Sequence, residues 1–253
     1  MPISIQVPAE AALAEALGAT RGVVCLVGAG GKKTTMYALA RAHAGRVALS
    51  STSHMYRYDP DLVDAVVTVD DAAPSVPPEG RVVAFAGPTD TPERVGGLSA
   101  PALAALRDSG RFELLLVKAD GARARWIKAP GEHEPLVLPF ADTVIPVVSA
   151  GVFGRRLDSG IAHRPERVAA VTGATLDEPL RAQHVARLLA ADDGALKGVG
   201  TARVVPLINM VDDAGREGEA REAARLALAA TTRFERVVLA AMKRGRLVVV
   251  IER

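Results

Sequence analysis

Residues 28–35, Gly28-Ala29-Gly30-Gly31-Lys32-Lys33-Thr34-Thr35, are of the types that hold phosphate. Glycines let a backbone approach an anion. The first N–H groups of a following helix point at that anion, and the helix dipole adds attraction. Lys32 brings a mobile positive charge suited to β- and γ-phosphates, where charge develops during phosphoryl transfer. Lys33, Thr34 and Thr35 complete the stretch. The spacing departs from the usual phosphate loop, G-x-x-x-x-G-K-[ST], which would need Gly at Leu26 and Ser or Thr at Lys33. A shortened G-x-x-G-K, from Gly28 to Lys32, fits instead; a turn that is merely glycine-rich is the alternative. Thr34 is the candidate magnesium ligand, with helix capping as its other role. A dinucleotide fingerprint G-x-G-x-x-G fails, because Lys33 stands where its third Gly belongs.

A second group follows the apolar run 112–117. It reads Lys118-Ala119-Asp120-Gly121. A carboxylate at a strand end is the usual second half of a nucleotide site, where Asp120 can accept from a metal-bound water or orient an attacking one. Asp before Gly is also common turn chemistry. Lys118 beside it can keep Asp120 ionised. The loop 122–135 then crowds Arg123, Arg125, Lys128, Glu132, His133, Glu134 and the single Trp126 between prolines. His133 can shuttle a proton or meet an acidic partner. A metal patch on Glu132-His133-Glu134 is disfavoured, because consecutive side chains of an extended segment alternate faces. Lys128, Arg123, Arg125 and Arg164 are candidates to grip a second anion, or else solvated surface charges. Asn209 and Asp212 form a stretch resembling N-K-x-D that can lie near a base, or a plain strand-end turn.

The surrounding elements place these groups. The apolar run 23–27, a helix over 32–43 ended by Gly45, and a strand over 46–50 make a right-handed βαβ unit with parallel strands. Ligands of such sheets sit outside the carboxyl ends of the strands. Further strands are expected at 65–69, 81–86, 112–117, 143–148, 203–208, 237–241 and 247–251. Pro146 should mark an irregularity or an edge. Helices are expected at 10–17, 101–107 (capped by Ser99), 167–171, 179–191 and 217–230. The fold class is α/β: one domain over residues 1–253, with a mainly parallel sheet flanked by helices, P-loop NTPase-like, with inserted irregular segments. The accessory structure is expected at 59–97, marked by Pro74, Pro77, Pro78, Pro88 and Pro92, and at 151–191.

Composition narrows the class. With 49% hydrophobic residues and 4% aromatics, the core is mostly Val, Leu and Ala. A net charge of +2, from 31 basic and 29 acidic residues, gives no field suited to generic nucleic-acid binding. The single Cys25 excludes an intramolecular disulfide and a cysteine-cluster metal site, and its apolar surroundings make it an inert core thiol. Residues 1–20 have no basic n-region, and no apolar run reaches about 18 residues. A soluble cytoplasmic protein without membrane attachment is therefore expected.

Taken together, Gly28-Ala29-Gly30-Gly31-Lys32, Lys118-Ala119-Asp120-Gly121, Lys128-Ala129-Pro130, Glu132-His133-Glu134-Pro135, His163-Arg164-Pro165-Glu166 and Ile208-Asn209-Met210-Val211-Asp212 resemble the YqeC family. Its members are described as selenium cofactor biosynthesis or selenium-dependent molybdenum hydroxylase accessory proteins. The resemblance covers residues 20–215 and is carried most by K-A-P-x-E-H-E-P. It implies a phosphate-loop fold that binds ATP or GTP, with Mg2+, and a role in maturing molybdenum hydroxylases. The implied partners are a nucleotide, the molybdenum cofactor or a molybdenum hydroxylase. Three positions depart from the family pattern: Lys33 where Thr is expected, Lys118 where Glu is expected, and Met210 where a guanine-specific site has Lys. Either magnesium shifts onto Thr34 and Asp120, or the lysines replace part of its charge. Two functions follow: a nucleotide hydrolase or phosphotransferase, and an inactive chaperone that binds nucleotide or molybdenum cofactor.

Overall fold

The computed structural model describes residues 9–69 and 79–253. In chain order, α1 (Ala9–Ala16) leads into β1 (Gly22–Gly28), α2 (Lys32–Ala42), β2 (Val47–Ser51) and the short β3 (Met55–Tyr56). Next come β4 (Ala65–Thr68), β5 (Val82–Ala86), β6 (Arg94–Val95), α3 (Ala100–Asp108), β7 (Leu114–Lys118) and β8 (Ile127–Lys128). The chain continues through β9 (Thr143–Ser149), β10 (Ala162–His163), α4 (Pro165–Thr172), α5 (Ala182–Ala190), β11 (Arg203–Val204) and β12 (Leu207–Asn209). It ends with α6 (Ala214–Ala230), β13 (Arg236–Ala241) and β14 (Arg246–Glu252).

The main sheet runs β14-β13-β12-β9-β1-β7-β2-β5-β4, with β11 also on β9. All its pairings are parallel except β13 with β14. β1 lies inside the sheet, and its apolar run explains why. Val23, Cys25 and Val27 enter one core; Val24 and Leu26 enter the core on the other face. The first core takes buried residues from α3, α4, α5 and α6, and the second from α1 and α2. Such a strand needs apolar residues at every position, as parallel sheets covered on both faces require. Burial also pushes the Cys25 thiol up to about 11, in keeping with an inert core residue.

Three expectations change. First, β4 and β5, from the segment expected as inserted structure, extend the parallel sheet. Pro74, Pro77 and Pro78 lie outside the described residues. Second, α4 and α5 from residues 151–191 help to cover one face of the sheet. Third, Pro146 sits inside a buried strand between β1 and its far neighbours rather than at an edge. Its missing N–H is tolerated because Val144 and Pro146 face the side where the partner strand is itself broken, between β11 and β12 at Val205-Pro206. The irregularity lies in the neighbour. No helix among the described residues is long and apolar enough to cross a membrane.

Candidate functional site

β1 delivers the glycine turn to the carboxyl edge of the sheet. Gly28, Gly30 and Gly31 have φ of 88°, 93° and 115°. A Cβ at Gly28 would press into the Val147 carbonyl, at Gly30 into Ser149, and at Gly31 into the Asn209 amide. Left-handed φ and close approach both demand glycine there. The turn is fastened from three sides. Ala29 N donates to Val147 O at 2.9 Å, and Gly30 N to Arg125 O at 3.0 Å. Asn209 donates from Nδ2 to Gly30 O at 2.8 Å and accepts from Met242 N at 3.0 Å. Gly31 caps α2, so the N–H groups of the first helical turn have no partner within the helix and remain for an anion.

Behind the turn lies a buried ion network. Asp120 Oδ1 meets Lys32 Nζ at 2.8 Å, and its Oδ2 meets Lys128 Nζ at 2.9 Å and the Gly28 N–H at 3.0 Å. Lys32 also donates to the Gly28 carbonyl. Lys128, on β8, reaches Glu134 Oε2 at 2.8 Å and Gly121 O at 2.6 Å, and Arg164 meets the same Glu134 oxygen at 2.6 Å. Burial lowers the pKa of Lys32 despite the attraction of Asp120. The Glu134 pKa is lowered as well, but here the charged form is favoured: partial burial opposes its charge, while the Lys128 and Arg164 partners hold it down at about 2.

In front of the turn opens a cleft of about 410 Å³. Lys32, Lys33, Arg94, Lys118, Arg123, Arg125 and Arg164 line it against one carboxylate, Glu134. Lys118 donates to Ser53 Oγ at 3.0 Å. Burial, with the neighbouring Lys32 charge, lowers its pKa to about 8. Lys33 donates to the carbonyls of Arg57 and Tyr56, and its ammonium sits 5.5 Å from the Tyr37 ring. Arg123 and Ala124 both have positive φ, 48° and 57°, in the loop that brings the Arg125 carbonyl onto Gly30. His163 also lines the cleft. Its Nδ1 is buried without a hydrogen-bond partner, and burial together with the Arg164 and Lys128 charges lowers its pKa to about 4. The imidazole is therefore neutral at pH 7.

This geometry does not fit a resident magnesium. Both Asp120 oxygens face lysine ammoniums. Thr34 lines a neighbouring groove with Tyr37, Asp59 and Met242, and Lys33 stands between that groove and the cleft. Among the described residues no group of three His, Cys, Asp or Glu side chains gathers to hold a metal.

The model of the family described as YqeC protein matches residues 24–166. The chain is also 31% identical over 185 residues to the uncharacterized protein YqeC of Escherichia coli (strain K12), across 70% of this chain and 71% of that protein. The chain belongs to the YqeC family. The matched stretch begins within β1 and ends just past β10, so the glycine turn, Asp120, Lys128, Glu134 and His163 all fall inside the YqeC region.

Within this YqeC chain the residues singled out in the sequence divide. Gly30, Gly31, Lys32, Lys33, Arg123, Arg125 and Arg164 come together at the cleft. Gly28 and Ala29 shape the turn, but their N–H groups donate to protein acceptors. Thr35 is buried, with its hydroxyl on Gly31 O at 3.0 Å. Lys128, expected to grip a ligand, is enclosed between two carboxylates. His133 and Glu132 are exposed and do not line the cleft, so His133 is not placed for proton transfer there. They form a turn rather than an extended strand, which sends only Glu134 inward. Asn209 is a clasp, and Asp212 is an exposed residue paired with Arg216 at 3.3 Å. The residues that the sequence reading missed are His163, Glu134 and Arg94. His163-Arg164-Pro165-Glu166 was a signal for the first of them, although only Arg164 drew a role.

Proposed function

We propose that this YqeC-family protein binds a nucleoside triphosphate, ATP or GTP, through its phosphates, with a P-loop-like turn, in the cytoplasm. The observation that carries this reading is the cleft: seven cations and one carboxylate around the free N–H groups that open α2. Lys32 rests on Asp120 and the Gly28 carbonyl, poised beside the turn. An incoming γ-phosphate draws this flexible ammonium forward, while Lys128 keeps Asp120 compensated. The role that the family resemblance implies is an accessory one, in maturing selenium-dependent molybdenum hydroxylases, with the hydroxylase or its molybdenum cofactor as partner.

A second reading, binding without turnover, has its own support. Asp120 is held at both oxygens by lysines, so it is poorly placed to act as a base. If turnover occurs, His163 is the better-placed proton acceptor by position alone, since the burial and cations that keep it neutral also disfavour its protonation. Calorimetric titration with ATP and GTP, followed by phosphate-release assays, tests both readings. Nucleotide binding that is lost in Lys32→Ala supports the site, and phosphate release above buffer selects the enzyme over the chaperone. Wild-type protein that binds neither nucleotide sinks the reading.

A further inference from the structure

A bound polyphosphate brings several negative charges. Phosphate loops ordinarily neutralise them with a metal ion held by a loop hydroxyl and a strand-end carboxylate, aided by the loop lysine. Neither ligand lines the cleft here: Asp120 is buried in ion pairs with Lys32 and Lys128, and Thr34 lines a neighbouring groove. The chain instead places two further ammoniums at the cleft. Lys33 follows the turn lysine, and Lys118 lies two residues before Asp120. Among the described residues neither meets a carboxylate: Lys33 donates to backbone carbonyls and Lys118 to the Ser53 hydroxyl. Their hydrogen-bond partners are uncharged; Asp59 acts on Lys33, and Asp120 and Glu134 on Lys118, only through their fields. Resting on the nucleotide reading above, we propose that Lys33 and Lys118 neutralise the bound polyphosphate in place of a divalent cation, so that nucleotide binding does not require magnesium.

The electrostatics agree. A doubly charged ion entering a cleft already lined by seven cations meets repulsion and, among the described residues, finds no open carboxylate to offset it. Burial first, and then the Lys32 and Lys128 charges, lower the pKa of Lys118, and an arriving anion favours its charged form again.

Titration of the purified chain with ATP, in excess magnesium and again in excess chelator, tests the proposal. Affinities within about threefold of each other are expected. The double variant Lys33→Met/Lys118→Met should bind at least about tenfold more weakly in chelator and recover part of that loss in magnesium. Lys33→Arg/Lys118→Arg, which keeps both charges, should bind as wild type does; a loss as large as in the Met variant overturns the charge role. Thermal melts of both variants show whether each is folded. Wild-type affinity that falls about tenfold or more in chelator overturns the proposal and leaves the nucleotide reading standing. No binding in either condition overturns both.

Discussion

Asp120 and Lys128 meet at 2.9 Å, and neither side chain exposes more than 2% of its surface. With the Glu134 carboxylate at 2.8 Å and the Gly121 carbonyl as its other partners, the Lys128 ammonium is enclosed between two carboxylates inside the protein. It fastens the charged loop 122–135 to the sheet. Lys128→Met should therefore leave both carboxylates short of a partner and cost about 3–5 kcal/mol, read by guanidinium denaturation. A loss under about 1 kcal/mol would mean that the carboxylates relax to other partners or to water.

Asn209 and Asp212 should behave differently although they share one short stretch. Asn209→Ala leaves the buried Met242 N–H without an acceptor and releases the Gly30 carbonyl. It should cost about 1–3 kcal/mol and weaken nucleotide binding by loosening the turn. Asp212→Ala should stay within about 0.5 kcal/mol of wild type and bind equally well. Equal effects of the two on affinity would contradict the clasp.

The two histidines provide a similar contrast. Any phosphate release by the wild type should fall about 100-fold in His163→Ala, the lower range for loss of a general base. His133→Ala should leave it unchanged, since that ring is exposed away from the cleft. The reverse pattern would return proton transfer to His133.

Glu134 gives a pH dependence with a definite sign. Its folded pKa, about 2, lies below the ordinary 4.5. The stabilisation it contributes is thus complete above pH 4.5 and is lost as the pH falls from 4.5 towards 2. Glu134→Gln should flatten that part of the acid denaturation curve. A variant that keeps the wild-type slope there would show that other carboxylates carry it.

Much of the sheet was legible because a parallel strand buried on both faces writes itself as an unbroken apolar run. Residues 23–27 and 114–117 are clear cases. The glycine turn was legible for a similarly local reason: only glycine accepts the backbone angles at 28, 30 and 31. The charged residues were harder. Nothing in the spacing of Lys128 says that it lies between Asp120 and Glu134, because β8 is brought there by its pairing with β10, 35 residues later in the register Lys128–His163. For Glu132-His133-Glu134, alternation assumed an extended chain, whereas a local turn decides which side chain faces inward.

The hydrogen bond from Asn209 to Gly30 joins residues 179 apart in sequence. Contacts of such separation close late, after loop entropy has been overcome. A chain emerging during synthesis has its glycine turn long before it has the clasp that sets the turn's shape. The anion cleft is therefore a property of the finished fold alone, and a ligand that occupies it selects completed molecules over partly folded ones.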